Sequence, residues 1–320
     1  MKTVNWGIVG CGNVCERKSG PAMYKTPHSA LAAVMRRDAE KVADFARRHN
    51  VPKSYTDAAA LIADPEVDIV YVATPPGTHR ELAVQALEAG KPVYVEKPMA
   101  MNHAECLEMI AAAEKAGQKL FVAYYRRALP YFLKVKELLD GGSVGQPLTA
   151  EVRLLRPERP EDRDPARLPW RLRREVGGEG YFHDLAPHTL DILDFLLGEI
   201  TDARGCKSNR GGILRRGGHR RGVVPLPFGR ARYGDVVLRR SALRCGGFGG
   251  RHGPQRLGAV QHVRFHAGRT GDGAGCRTLR NRPSGAYSGP ADRNDRPGAA
   301  RRGRVPLHGS LRGANFAGDG

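Results

Sequence analysis

The chain has 320 residues, six cysteines and a formal net charge of +19. That length suits about two domains with real cores; no apolar run reaches the ~20 residues of a membrane span, and the first residues read as a core strand, not a secretion signal. Cys11, Cys15, Cys106, Cys206, Cys245 and Cys276 form no C-x-x-C pair and read as reduced thiols of a cytoplasmic protein.

The positive charge alone would suggest a nucleic-acid partner, but it is unevenly spread. Residues 1–212 hold 30 Lys+Arg against 28 Asp+Glu, whereas residues 213–320 hold 22 against 5, with no Lys and no Glu.

In chain order, an apolar strand from about Val4 to Val9 runs into Gly10-Cys11-Gly12, and a helix pattern follows. Gly10 permits a tight turn, and Gly12 lets the backbone approach a pyrophosphate at the helix N-terminus. Cys15 stands where a third glycine would complete G-x-G-x-x-G; that place governs helix packing, so a small side chain can serve. Ala30 to Met35 reads as a second strand ending in Arg36-Arg37-Asp38. Arginines there can hold a 2′-phosphate, an acid can take the ribose hydroxyl, and a solvated turn is the third reading. The arginines tilt the balance to NADP(H).

Helices are expected over Asp38 to Asn50 and Ala58 to Ala63. Val67 to Ala73 is nearly all apolar and β-branched, as in a strand covered on both faces. It ends in Thr74-Pro75-Pro76-Gly77-Thr78-His79, at the edge where doubly wound sheets bind ligands. His79 reads as a cap or surface residue before a catalyst. A helix from Arg80 to Ala89 follows, then a strand from Pro92 to Val95, then Glu96-Lys97-Pro98. A helix from His103 to Ala116 stops at Gly117, and Leu120 to Ala123 makes one more strand. This alternation predicts an α/β, doubly wound parallel sheet with helices on both faces. Lys97, at a strand end beside the nucleotide loops, can favour the alkoxide formed as hydride leaves; an exposed lysine before a turn proline would look the same.

Residues 155–176 read as a solvated loop of alternating charges ending near Leu168-Pro169-Trp170-Arg171. Then comes Gly177-Gly178-Glu179-Gly180-Tyr181-Phe182-His183-Asp184-Leu185-Ala186-Pro187-His188-Thr189-Leu190-Asp191. Pro187 predicts a helix start near Ala186, or a kink there. On a helix Asp184 and His188 share a face. A carboxylate beside an imidazole orients it and stabilises its charged form, as a base for an alcohol requires.

Gly10-Cys11-Gly12, Ala73-Thr74-Pro75-Pro76 with His79, Glu96-Lys97-Pro98, Tyr124-Tyr125-Arg126-Arg127 with Pro130, and the stretch from Gly177 to Asp191 occur in order. Together they resemble the glucose–fructose oxidoreductase / inositol dehydrogenase (Gfo/Idh/MocA) family of NAD(P)-dependent oxidoreductases, over about residues 1–212. The resemblance implies a Rossmann-type domain over 1–123 and an α+β domain starting at 124, with a mostly antiparallel sheet and a homodimer or homotetramer. It implies cofactor contacts at Gly10, Gly12, Asn13, Val14, Arg36, Arg37, Thr74, Pro75, Pro76, His79 and Glu96, for NADP or NAD. It implies catalysis by Lys97, Asp184 and His188. A sugar, polyol or related small molecule would lie on Lys97, Tyr125, Arg126, Trp170 and His188. No metal, nucleic acid or membrane is implied. The rival readings are a cofactor or sugar sensor on the same fold, and nucleic-acid binding through the basic tail.

Residues 213–320 carry 23 of the 40 glycines, and no isoleucine follows Ile213. The segment reads as an out-of-frame translation of the remaining domain, since Gly, Arg, Pro and Ala codons are what a GC-rich gene yields off frame. Shifted one base, Ile213 to Leu226 can become Y-Y-E-G-E-D-T-V-A-A-S-F-R-F. The written tail lacks sustained strand or helix periodicity. It is therefore expected to be poorly ordered, leaving the antiparallel sheet truncated or disrupted.

Overall fold

A computed structural model describes residues 1–145, 147–155, 159–162, 164–208, 219–228, 232–241 and 260–267. They group into two compact units, one of Met1–Arg126 with Leu168–Asp191, the other of Arg127–Arg167 with the chain from Ile192 onward.

The first unit is built on six parallel strands: β1 Val4–Val9, β2 Ser29–Met35, β3 Lys53–Tyr55, β4 Ile69–Val72, β5 Val93–Val95 and β6 Leu120–Val122. Their order is β3-β2-β1-β4-β5-β6. The winding reverses between β1 and β4, so the loops after these strands flank the crevice that such sheets offer a ligand. All four residues of β4 are buried, as its apolar run predicts. Ile8 and Tyr71 face a cluster with Leu31, Val34 and Phe45, while Val9 and Val70 face another with Leu61 and Leu87. Each fully buried side chain of this size contributes about 1.5–3 kcal/mol.

The helices α2 Ala39–Arg48, α3 Ala58–Ala63, α4 His79–Glu88 and α5 His103–Ala116 lie between the strands in sequence. Asp38, Asp57 and Asn102 cap α2, α3 and α5, each accepting a main-chain N–H three residues on. Gly117, at φ 62°, ends α5 in the left-handed conformation that glycine adopts without steric cost. The first helix departs from a regular α pattern. A π-helical turn, Cys15–Ser19, precedes α1 Gly20–Lys25, and Gly20 N–H donates to Cys15 O. Pro21 lacks an N–H and its ring crowds the preceding turn, which favours the wider winding.

The second unit holds α6 Pro130–Asp140 and a sheet of β7 Pro147–Leu155, β8 Arg204–Ser208, β9 His219–Phe228, β10 Arg232–Ser241 and β11 Val260–Ala267. Its order is β11-β7-β10-β9-β8, antiparallel except for the β10–β7 pair. Three of these strands come from the basic tail, whose composition predicts a truncated or disrupted antiparallel sheet; among the described residues the sheet has five strands. Runs such as Val223-Val224 and Val236-Val237-Leu238 supply strand-forming residues that overall composition hid. The rest of residues 213–320 lies outside the described residues.

A short helix, α7 Arg174–Gly177, is followed by α8 Tyr181–Leu197. The expected start of α8 near Ala186 is corrected: the helix begins five residues earlier and carries Pro187 inside it. Among the described residues no helix is long and apolar enough to cross a membrane.

Candidate functional site

At the end of β1, Gly10 has φ 88°, and a Cβ there would lie 2.6 Å from Thr74 Cγ2. Glycine is thus required for both backbone conformation and space. Gly10 and Cys11 N–H both donate to Met35 O, tying the turn to β2. A Cβ on Gly12 would meet nothing nearer than Gly10 O at 3.9 Å, so this backbone faces open space. Asn13 and Val14 open the helix that follows, Asn13 exposed and Val14 half-buried. Cys15 is fully buried against the sheet, and burial pushes its thiol up to about 12.

Arg36 is half-buried and Arg37 exposed. Burial raises the Cys11 thiol to about 11, against the Arg36 charge. Arg36 directly follows Met35, whose main-chain oxygen holds the glycine turn, so it lies beside that turn. Asp38 accepts from Lys41 N at 3.0 Å and pairs with Lys41 Nζ at 2.6 Å. Its carboxylate thus serves the α2 cap.

Thr78 Oγ1 donates to Pro75 O at 3.1 Å and accepts from Thr74 Oγ1 at 2.8 Å, and Pro76 is buried at the start of a tight turn. His79 corrects its sequence reading as a cap or surface residue. It is fully buried, with Nδ1 3.0 Å from Pro98 O and Nε2 2.6 Å from Thr74 O. Burial lowers the His79 pKa, so the neutral ring has one N–H and donates to one of these two carbonyls, with the other packed against it. The buried ring thus lies between the Thr74 and Pro98 loops. Glu96 has a similar duty: Tyr71 Oη donates to its Oε1 at 2.6 Å and Lys97 N–H to its Oε2 at 3.1 Å. A carboxylate thus bolts the Lys97 loop to buried Tyr71 in β4.

Lys97 lies just past β5. Its Nζ donates to Asp184 Oδ1 at 2.7 Å and to the Asp184 main-chain oxygen at 2.8 Å. Arg171 Nε donates to Asp184 Oδ2 at 2.8 Å, and its guanidinium lies 4.4 Å from the Trp170 ring centroid. Burial pushes the Asp184 carboxyl up, but the Lys97 and Arg171 charges prevail and hold it below its ordinary value. The Lys97 side chain thus reaches both the carboxylate and the main-chain carbonyl of one residue near the start of α8.

His188 is buried, edge-on to Tyr125 at 5.2 Å and to Tyr124 at 6.3 Å. Asp184 and His188 share a helix face, and their side chains make no hydrogen bond to one another among the described residues. The Asp184 oxygens accept from Lys97 and Arg171, and buried His188 Nδ1 has no hydrogen-bond partner among the described residues. Burial, then the Lys97 and Arg126 charges, lower His188 to about 2 despite Asp184. His188 is therefore a neutral imidazole across the physiological range, and Arg126 brings positive charge to it.

Close backbone packing sets Arg171 in place. A Cβ on Gly177 would lie 2.5 Å from Trp170 O and 2.7 Å from Arg171 Cα, and one on Gly77 would lie 2.7 Å from Glu175 O. The structure thus brings Lys97, Asp184, His188, Tyr125 and, through Arg171, Trp170 together. Sequence reasoning missed Arg171 as a site residue; the signal was its place beside Trp170 just before a glycine-rich turn. Among the described residues no group of three or more His, Cys, Asp or Glu could hold a metal ion.

Comparison with known proteins agrees with this architecture. Residues 4–124 match the oxidoreductase family with an NAD-binding Rossmann fold, Gfo/Idh/MocA, and residues 132–221 match the Gfo/Idh/MocA C-terminal domain. The chain belongs to this family. It is 45% identical over 209 residues to oxidoreductase P35 of Formosa agariphila, covering 65% of each chain. It is 30% identical over 214 residues to 1,5-anhydro-D-fructose reductase of Ensifer adhaerens, covering 66% of this chain and 62% of the relative. The chain thus spans less than two thirds of the length of these curated relatives. A solved structure of levoglucosan dehydrogenase in complex with NADH superposes with a TM-score of 0.67 at 25% identity, over 82% of this chain and 71% of the other.

Proposed function

We propose that the protein transfers hydride between the nicotinamide of NADP or NAD and a hydroxyl carbon of a sugar, polyol or related small molecule in the cytoplasm. The observation that carries this reading is the Lys97 ammonium, fixed by Asp184 beside neutral His188 in the same compact unit as the glycine turn. The turn fits a dinucleotide: Gly12 faces open space where a pyrophosphate would lie, before the helix opened by Asn13 and Val14. Arg36 beside the turn supports NADP(H) over NAD(H).

When bound, the nicotinamide supplies a two-electron hydride acceptor. In the oxidative direction His188 accepts the hydroxyl proton. The C–H electron pair leaves with its hydrogen as hydride, and a carbonyl forms. Lys97 hydrogen-bonds the reacting oxygen and offsets its negative charge, which is greatest in the transition state. Asp184 keeps Lys97 aimed. Tyr125 borders His188 and Trp170 backs Arg171, so both flank the substrate's place. The family relationship also suggests a homodimer or homotetramer. The test is Lys97→Met: reduction of NADP+ with a polyol panel should be abolished while cofactor binding persists. Loss of both to the same extent would make Lys97 structural.

We further infer that the chain from about residue 213 is an out-of-frame reading of the family's C-terminal domain. The composition breaks there, and the match to that domain stops at residue 221. Sequencing the DNA around codons 205–220 tests this; a gene that reads through in the present frame and yields an active enzyme would refute it.

A further inference from the structure

We propose that the substrate is a sugar acid, and that Arg171 holds its carboxylate. The inference rests on the hydride-transfer reading and adds the substrate's charge. Arg171 is anchored at one edge and one face. Nε donates to Asp184 Oδ2 at 2.8 Å, and the guanidinium lies 4.4 Å from the Trp170 centroid. These contacts fix the plane and direction of the group and leave its two terminal nitrogens, Nη1 and Nη2, with no partner among the described residues. The side chain is 40% exposed, so the free end of the fork reaches open space.

A guanidinium held this way presents two parallel N–H groups at the spacing of a carboxylate's oxygens. A single hydroxyl would leave the fork half used. The local charge agrees. Lys97 and Arg171 share the one Asp184 carboxylate, which leaves one positive charge uncompensated. Glu96 is turned towards Tyr71 and its own loop, and Arg126 adds a further positive charge near His188. Geometry also limits where the acid group stands. The two cations grip opposite oxygens of one carboxylate, so the group bound by Arg171 lies within a few bonds of the carbon whose oxygen Lys97 holds. A hydroxyl close to a carboxylate along a sugar chain meets that requirement; a long neutral polyol does not use it. A sugar phosphate would offer the same fork an anion, and the test separates the two.

The test titrates matched pairs into the full chain saturated with NADP+: D-glucuronate against D-glucose, D-gluconate against D-glucitol, and D-glucose 6-phosphate as the phosphate arm. Calorimetry reads binding, and cofactor absorbance reads reduction. Each acid should bind at least tenfold tighter than its neutral partner, and more tightly than the phosphate. Arg171→Gln should bring the acid/neutral ratio near one. Should Arg171→Gln fail to fold, Arg171→Lys, which keeps the charge and loses the fork, should reduce the ratio to about threefold. Equal binding of acid and neutral partner overturns the proposal. So do an acid preference that survives Arg171→Gln, tighter binding of the phosphate, and no acid binding with NADP+ binding intact. Loss of NADP+ affinity in the variant with an unchanged acid preference would assign the fork to the cofactor and also overturn it. Acid bound through Arg171 without cofactor reduction would count against hydride transfer alone.

Discussion

Two buried aspartates in the first unit, Asp64 and Asp184, show how a fold contact differs from a site. Both are held by cations. Asp64 accepts from Lys53 Nζ at 3.0 and 3.1 Å, from Tyr55 Oη at 3.0 Å and from Glu66 N–H at 3.0 Å. Lys91 Nζ takes the Asp64 main-chain oxygen at 2.7 Å and Val67 O at 2.6 Å. The Asp64 group closes on itself and joins β3 to the end of α3. Asp184 is gripped as firmly, but among the described residues its surroundings do not close: the Arg171 fork keeps unused donors and His188 Nδ1 has no partner. A buried polar group without a partner is costly unless it serves a purpose, and in the proposed function that purpose is proton transfer at His188.

The largest break in this comparison is Lys97→Met. It removes the charge aimed at the reacting oxygen, and turnover should fall by about 10³-fold or more, to an undetectable rate, with thermal unfolding changed far less. Steady-state kinetics beside a melting curve check both halves. His188→Ala comes next, with a fall of about 10²-fold or more. The pH dependence sharpens it. His188 is lowered to about 2 in the folded protein, so it stays a neutral acceptor, and the wild-type rate should show no histidine step between pH 8 and 5. Stability moves the other way from a salt-bridged histidine. The unfolded chain protonates His188 near its ordinary value and the folded chain does not, so its contribution is complete above about pH 6.5 and is lost as pH falls below it. His188→Ala should flatten that part of the stability–pH curve.

Asp64→Asn supplies the contrast. It weakens a closed, structural set, so urea unfolding should report a loss of about 1–2 kcal/mol while turnover at saturating substrate hardly changes. A large loss of turnover with unchanged stability would erase the distinction between the two aspartates.

Much of the first unit was legible in the sequence, because its strands are short apolar runs and its turns carry glycine or proline with local causes. The glycine turn, the Lys97 loop and the Asp184–His188 helix were all visible in this way. What was not legible depends on contacts between distant residues. Asp184 and His188 at i, i+4 share a face, yet Asp184 bonds Arg171, 13 residues before it, a contact that local spacing does not reveal. His79 looked superficial because nothing local says that Thr74 O and Pro98 O converge on its ring. Tyr71 and Glu96 are 25 residues apart and meet only because β4 and β5 pair. In the tail, composition masked strand-forming runs that pair with β7 and β8.

The smallest expected effect separates neighbours in the cofactor loop. Arg36 and Arg37 look equivalent in sequence, but Arg36 is half-buried beside the glycine turn and Arg37 is exposed. Asp38 is committed to capping α2 and to Lys41, so it competes poorly for a ribose hydroxyl. A 2′-phosphate carries charge that Arg36 can meet in a setting less screened than the open surface. Arg36→Ala should therefore weaken NADPH binding by about tenfold, the scale of one charge-assisted contact, and leave NADH binding nearly unchanged. Arg37→Ala should shift the NADPH/NADH ratio by no more than about twofold, as expected of an exposed charge. Fluorescence titration of each variant with both reduced cofactors measures the two ratios. Equal shifts would return the pair to a single surface patch, and no shift in either would remove the arginines from cofactor choice.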